Sequence, residues 1–105
     1  MSNSSNDNMA MKFKALANPV RLTIFKELTQ CCEVGSSCDI QRCVGDLATL
    51  VNIAPSTLSH HLKELNRAGL ISMQRAGKNM MCSVDLKVLD VLSDYFKTLP
   101  QKEKV

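Results

Sequence analysis

From Met9 onward the apolar positions recur at helical spacing, stop, and resume, and each interruption falls on residues that end or begin helices. Met9, Phe13 and Leu16 stand at i, i+4 and i+7, one face of a short first helix. It must close before Asn18-Pro19, because a residue preceding proline avoids the helical region. The same dipeptide opens a second helix: asparagine as N-cap accepts from one orphan amide, and proline at the first position removes another. Leu22, Ile24, Phe25 and Leu28 supply the apolar face of that helix, which the spacing carries to about Gln30. Residues 31–42 (CCEVGSSCDIQR) have no clear period and hold Gly35, Ser36 and Ser37, so they are predicted mainly as a loop. That loop is long for a small domain, which marks it for function or insertion.

The helical period returns with Val44, Leu47, Ala48 and Val51 and breaks around Asn52. Pro55 starts a fourth helix with the stripe Leu58, Leu62 and Leu65, which ends near Ala68, where Arg67 and Gly69 are C-terminal signals. ISMQR and MMCSV, separated by AGKN with Gly77 and Asn79, read as a β-hairpin with a four-residue turn. Asp85 is placed to cap a last helix. There Leu86, Val88, Leu89, Val91, Leu92, Tyr95, Phe96 and Leu99 form an apolar band wider than one core contact requires. The extra width points to a second copy of the chain. The prediction is a mainly α fold with a small β-hairpin, in the order α-α-α-α-β-β-α. One domain over 9–99 is expected between a disordered polar tail (1–8) and a polar C-terminal tail (100–105).

Two short helices joined by a tight turn, the second with a polar outer face, form the arrangement that lays a helix in the major groove of DNA. Residues 46–66 fit it. Asp46 opens the first helix, Ala48 is small enough for a close crossing, and Asn52 tolerates the left-handed turn conformation. Opposite the leucine stripe, the second helix carries Ser56, Thr57, Ser59, His60, Lys63 and Arg67, with His61 flanking. Hydroxyls and imidazole near the N-terminus of such a helix reach base edges, cations further along reach phosphate, and the helix dipole favours anions there. An amphipathic helix with a merely solvated face would look similar. The hairpin after it, with Arg75 and Lys78, supplies a basic wing that tips the reading toward DNA. His60 and His61 diverge by about 100° as helical neighbours, which makes a shared metal unfavourable.

Composition narrows the class. A chain of 105 residues with 45% hydrophobic and 22% charged residues is expected to fold as one domain. Its net charge of +3 permits nucleic-acid binding without demanding it. The polar residues 1–8 do not resemble a signal peptide, and no run approaches a membrane span, so a cytoplasmic protein with no membrane partner is expected. Five cysteines, an odd number, argue for reduced thiols instead of a disulfide framework. Phosphate-loop and paired-carboxylate signatures are absent from the sequence, and the chain is not expected to be an enzyme.

Together, KALANPVRLTIFKEL, CVGDLA, STLSHHLKELNRAGLI and RAGKNMMCSV resemble the ArsR/SmtB family of metal- and metalloid-responsive regulators, over roughly residues 11–96. The resemblance implies a winged helix-turn-helix homodimer that pairs through its first and last helices. It implies binding to a two-fold symmetric double-stranded operator with contacts from Ser56, Thr57, Ser59 and His60, and release when an inducer binds. One sensory site of the family lies between the paired last helices and needs histidine, which this chain lacks outside positions 60 and 61. Another uses a Cys-Val-Cys-Asp stretch, which here is Cys43-Val44-Gly45-Asp46.

The second thiol of that stretch is therefore glycine, but Cys31, Cys32 and Cys38 lie within the thirteen positions that end at Cys43. Thiolate is a soft donor; three suit As(III) or Sb(III), and four suit tetrahedral zinc or cadmium. Cys31, Cys32, Cys38 and Cys43 are thus predicted to bind a metalloid or soft divalent metal as inducer, with no obligatory cofactor. The same thiols also fit a peroxide- or persulfide-responsive switch, or a structural zinc staple. Cys82, in the second hairpin strand, is read as a core residue. A winged-helix protein-interaction module without DNA binding is the reading from a different functional class.

Overall fold

The computed structural model describes residues 4–31, 37–44, 49, 52–84 and 86–100. Helix α1 (Ser4–Leu16) begins upstream of Met9, inside the stretch expected to fray. Its Ser, Asn and Asp residues suit a first turn, where the Asp7 carboxylate meets the positive end of the helix dipole. Helix α2 (Pro19–Cys31) starts where the sequence placed it. The Asn18 side-chain oxygen accepts from the amides of Val20 at 2.8 Å and Arg21 at 3.2 Å, satisfying two orphan donors.

The segment predicted as a loop holds two elements. Strand β1 (Ser37–Asp39) lies antiparallel to the hairpin, and helix α3 (Ile40–Val44) begins before the apolar period resumes at Val44. A three-residue strand is too short to show alternation, and its hydrogen-bonding partner is supplied by distant sequence. The expectations for Asp46, Leu47, Ala48, Val51 and Asp85 fall outside the described residues.

Asn52 adopts the left-handed conformation, φ 56°, that the turn was predicted to need. Helix α4 (Pro55–Arg67) follows, with proline in its first turn and extended Ala54 before it. It ends in a Schellman motif: the Leu70 amide donates to the Leu65 carbonyl and Gly69 to Asn66, both at 3.0 Å, while Gly69 takes φ +78°. Any residue with a Cβ would be strained at Gly69.

Strands β2 (Ser72–Ala76) and β3 (Asn79–Ser83) pair with Ala76 opposite Asn79, so the turn is the two residues Gly77-Lys78 and not the four predicted. Gly77 at φ +64° occupies the first central position of a type II′ turn, whose twist matches the flanking strands. The sheet order is β1-β3-β2.

The core gathers Ile24 and Leu28 of α2, Val44 of α3, Leu65 of α4, and Leu70, Cys82 and Val84 around the sheet, all essentially without solvent contact. Helix α5 (Leu86–Lys97) lays Val88, Leu89 and Leu92 against this cluster. Phe13 of α1 meets Tyr95 and Phe96 of α5 at ring distances of 5.5 and 5.4 Å, joining the first and last helices. Among the described residues no helix is long and apolar enough to cross a membrane.

Candidate nucleic-acid interface

Helix α4 is divided cleanly. Leu62 and Leu65 are buried and Leu58 is half-buried, whereas Ser56, Thr57, Ser59, His60, Lys63 and Arg67 are all exposed. The apolar stripe is fixed by the core, so the polar residues have only the outer face. Arg67 Nη1 lies 3.6 Å from Glu64 Oε2, but its side chain remains 73% exposed. Such a surface pair holds the guanidinium only weakly, leaving it able to meet phosphate.

The wing stands beside this face. Arg75 and Lys78 are exposed on the hairpin. Ser59, Leu62 and Lys63 of α4 line one cleft with Met73, Lys78, Asn79 and Met80 of the hairpin. Helix and wing therefore form one continuous surface with cations on both sides of the cleft.

His61 faces the other way. It is 9% exposed, and Arg21 Nη1 stands 3.5 Å from its Nδ1. Burial, reinforced by the charges of Arg21 and His60, lowers its pKa below the ordinary 6.5, so the neutral ring accepts at Nδ1. Nε of the same Arg21 donates to the Ala15 carbonyl at 2.7 Å. One guanidinium thus ties the end of α1 and the start of α2 to the reading helix. Sequence reasoning missed Arg21, whose only signal is a long cation beside the apolar face of α2.

This arrangement fixes the sign of a pH effect. With its pKa lowered by folding, His61 takes up a proton in the unfolded chain first as pH falls. Stability is expected to be greatest above about 6.5, to fall as pH drops from there toward the lower folded-state value, and then to level. Thermal melts between neutral and mildly acid pH should show the fall in the native chain and a smaller one in His61→Gln. Equal slopes would assign the effect to other groups.

The cysteines are dispersed over more elements than the sequence reading expected. Cys43 is buried on α3, and Cys82, 1% exposed on β3, has its thiol pushed up to about 11 by burial, which keeps it a neutral thiol in the absence of a ligand. The backbone of Cys38 lies on β1 directly opposite Cys82 in the strand register, with its side chain outside the described residues. Cys31 closes α2 with its side chain outside the described residues, and Cys32 lies outside them. Among the described residues no group of three His, Cys, Asp or Glu side chains is assembled to hold a metal.

The family model for the arsR family of bacterial regulatory proteins matches residues 18–73, from the cap of α2 into β2. The chain belongs to the ArsR family. It is 42% identical to the arsenical resistance operon repressor of Bacillus subtilis (strain 168) over 66 residues, 63% of this chain and 55% of that protein. It is 31% identical over 78 residues to a Staphylococcus aureus protein named as a cadmium resistance transcriptional regulatory protein CadC homolog, covering 74% of this chain and 58% of that one. The chain thus spans somewhat more than half the length of these relatives. A crystal structure of an ArsR family transcriptional regulator superposes with a TM-score of 0.67 over 88% of this chain and 86% of that one, at 18% identity. The shared fold is the winged helix-turn-helix.

Proposed function

We propose that this ArsR-family chain is a homodimeric repressor that binds a two-fold symmetric DNA operator and leaves it when thiolates capture arsenite, antimonite or a soft divalent metal. The observation that carries the reading is the exposed face of α4, where Ser56, Thr57, Ser59 and His60 precede Lys63 and Arg67 beside the cations Arg75 and Lys78. Hydroxyls and imidazole near the helix N-terminus read base edges, and the cations fix the phosphate backbone on either side.

A dimer is supported by apolar side chains left in solvent on the two helices the aromatic cluster joins. Met11 of α1, Val91 and Phe96 of α5, and Leu99 just past its end are 43, 44, 55 and 42% exposed, the kind of exposed large apolar side chains that a second copy would cover. An inducer of soft character is supported by the thiols at 38 and 43 and by the resistance functions named for the two relatives. Cys43 precedes in sequence the segment read as the helix-turn-helix, so a ligand there would be close in the chain to the part that carries α4.

Fluorescence anisotropy with DNA from upstream of the protein's own gene tests this. Binding should exceed that to scrambled DNA, weaken steeply with potassium chloride, and be reversed by arsenite, antimonite or cadmium. Equal affinity for both DNAs would refute the operator; binding that none of the three reverses would refute the inducer.

A further inference from the structure

The register Cys38 opposite Cys82 joins the predicted thiol segment to a cysteine that sequence reasoning set aside as core. Opposed positions on antiparallel strands share one face of the sheet, with Cα atoms about 4.5–5.5 Å apart. Helix α3 packs against both strands, and its Cys43 belongs to the same buried cluster as Cys82. Two cysteine positions paired across the strands, and a third on the helix that packs against both, offer the three sulfur donors a three-coordinate soft ion needs.

We propose that Cys82 completes the inducer's ligand set, so that Cys38, Cys43 and Cys82 bind one As(III) or Sb(III) ion across the β1–β3 pair. This rests on the repressor reading above and specifies where its inducer sits. Arsenous acid exchanges its three hydroxyl groups for three sulfurs: three As–O bonds break, three As–S bonds form, and the thiol protons leave in three waters. Arsenic stays trivalent and no electron moves. The product carries no net charge, which suits a position where Cys82 is 1% exposed; a tetrathiolate zinc centre would bring a double negative charge into the same core.

The placement explains how capture would reach DNA. β1 is the short edge strand of the sheet, and β3 carries the wing turn at its start. An ion across them fixes α3 and β1 to the strand that aims Lys78, altering the wing relative to α4.

Native mass spectrometry of the reduced full-length protein with sodium arsenite is the test. One arsenic should add per chain with loss of three hydrogens. Cys82→Ala should need about tenfold or more arsenite both for binding and for release from operator DNA. It should keep its inducer-free operator affinity, and Cys31→Ser/Cys32→Ser should behave as the native chain. Should Cys82→Ala fail to fold, the native chain treated with phenylarsine oxide, which joins two thiols, still decides. Tryptic peptide 79–87 should then be found joined to 27–42 or to the peptide that begins at Cys43.

Arsenite release of Cys82→Ala at native concentrations, or a reagent confined to Cys31 and Cys32, would overturn this ligand set and leave the repressor reading standing. A native chain that arsenite neither binds nor releases would overturn the ligand set; the soft-ion inducer would fall separately if antimonite and cadmium also failed, and the operator reading if scrambled DNA bound equally well.

Discussion

Replacing Phe96 with lysine is expected to convert the proposed dimer to a monomer and to weaken binding to the proposed operator by about 10²–10⁴-fold. Phe96 is 55% exposed in the single chain, yet it belongs to an aromatic group with Phe13 and Tyr95 at ring distances of 5.2–5.5 Å. An ammonium placed there loses little in the isolated chain, where water solvates it. Within the proposed dimer interface it would be desolvated without a partner, which is strongly unfavourable. The DNA effect follows from geometry: each protomer holds one half-site, and with one docked the second binds at a high effective concentration that a monomer forfeits. Light scattering on a sizing column reads the mass, and anisotropy reads the affinity. A variant that stays dimeric, or a monomer that binds the full operator as tightly, would contradict the assignment. Only a modest loss of thermal stability at low protein concentration should accompany the change, since Phe96 packs on Phe13 and Tyr95 but lies outside the main core.

What could be read from sequence divides along a physical line. Helices α2 and α4 were legible because their boundary chemistry is local: Asn18 and Pro19 at one start, Asn52 and Pro55 at the other, Gly69 at an end. Each acts on amides and carbonyls within a few residues, and the structure puts them to those uses. Strand β1 was illegible because nothing local makes it a strand. Its partner, β3, lies some forty residues on, and three residues are too few to establish an alternation of their own. The hairpin was legible, but its turn was misjudged because Ala76 and Asn79 pair with each other once Gly77 takes the tight conformation.

The outer face of α4 was legible for the same reason as the helix: the leucine stripe fixes which residues look outward. Arg21 was not, because its contact with His61 spans 40 positions, and only tertiary packing brings α2 and α4 together. Cys82 was half legible. Alternation correctly buried it, but its proximity to Cys38 depends on a register that sequence does not state.

Paired substitutions on the helix and on the wing are expected to fail in different ways, which separates sequence reading from backbone holding. Ser59→Ala with His60→Ala removes two groups from the reading face, each worth about 1–3 kcal/mol of base discrimination. In a dimer the pair counts twice, so operator affinity should fall by about two orders of magnitude or more, toward the value for scrambled DNA, while the dependence on salt changes little. Arg75→Ala with Lys78→Ala instead removes two cations per protomer. Each phosphate contact contributes about 0.9 to the slope of log affinity against log salt, so four lost contacts should flatten that slope by about 3 to 4. Affinity for operator and scrambled DNA should then fall together, leaving their ratio near its original value. All four side chains are exposed, so neither pair should unfold the protein. Salt titrations on two DNAs read both quantities. If the helix pair flattened the slope and the wing pair collapsed the ratio, the roles assigned to α4 and the hairpin would have to be exchanged.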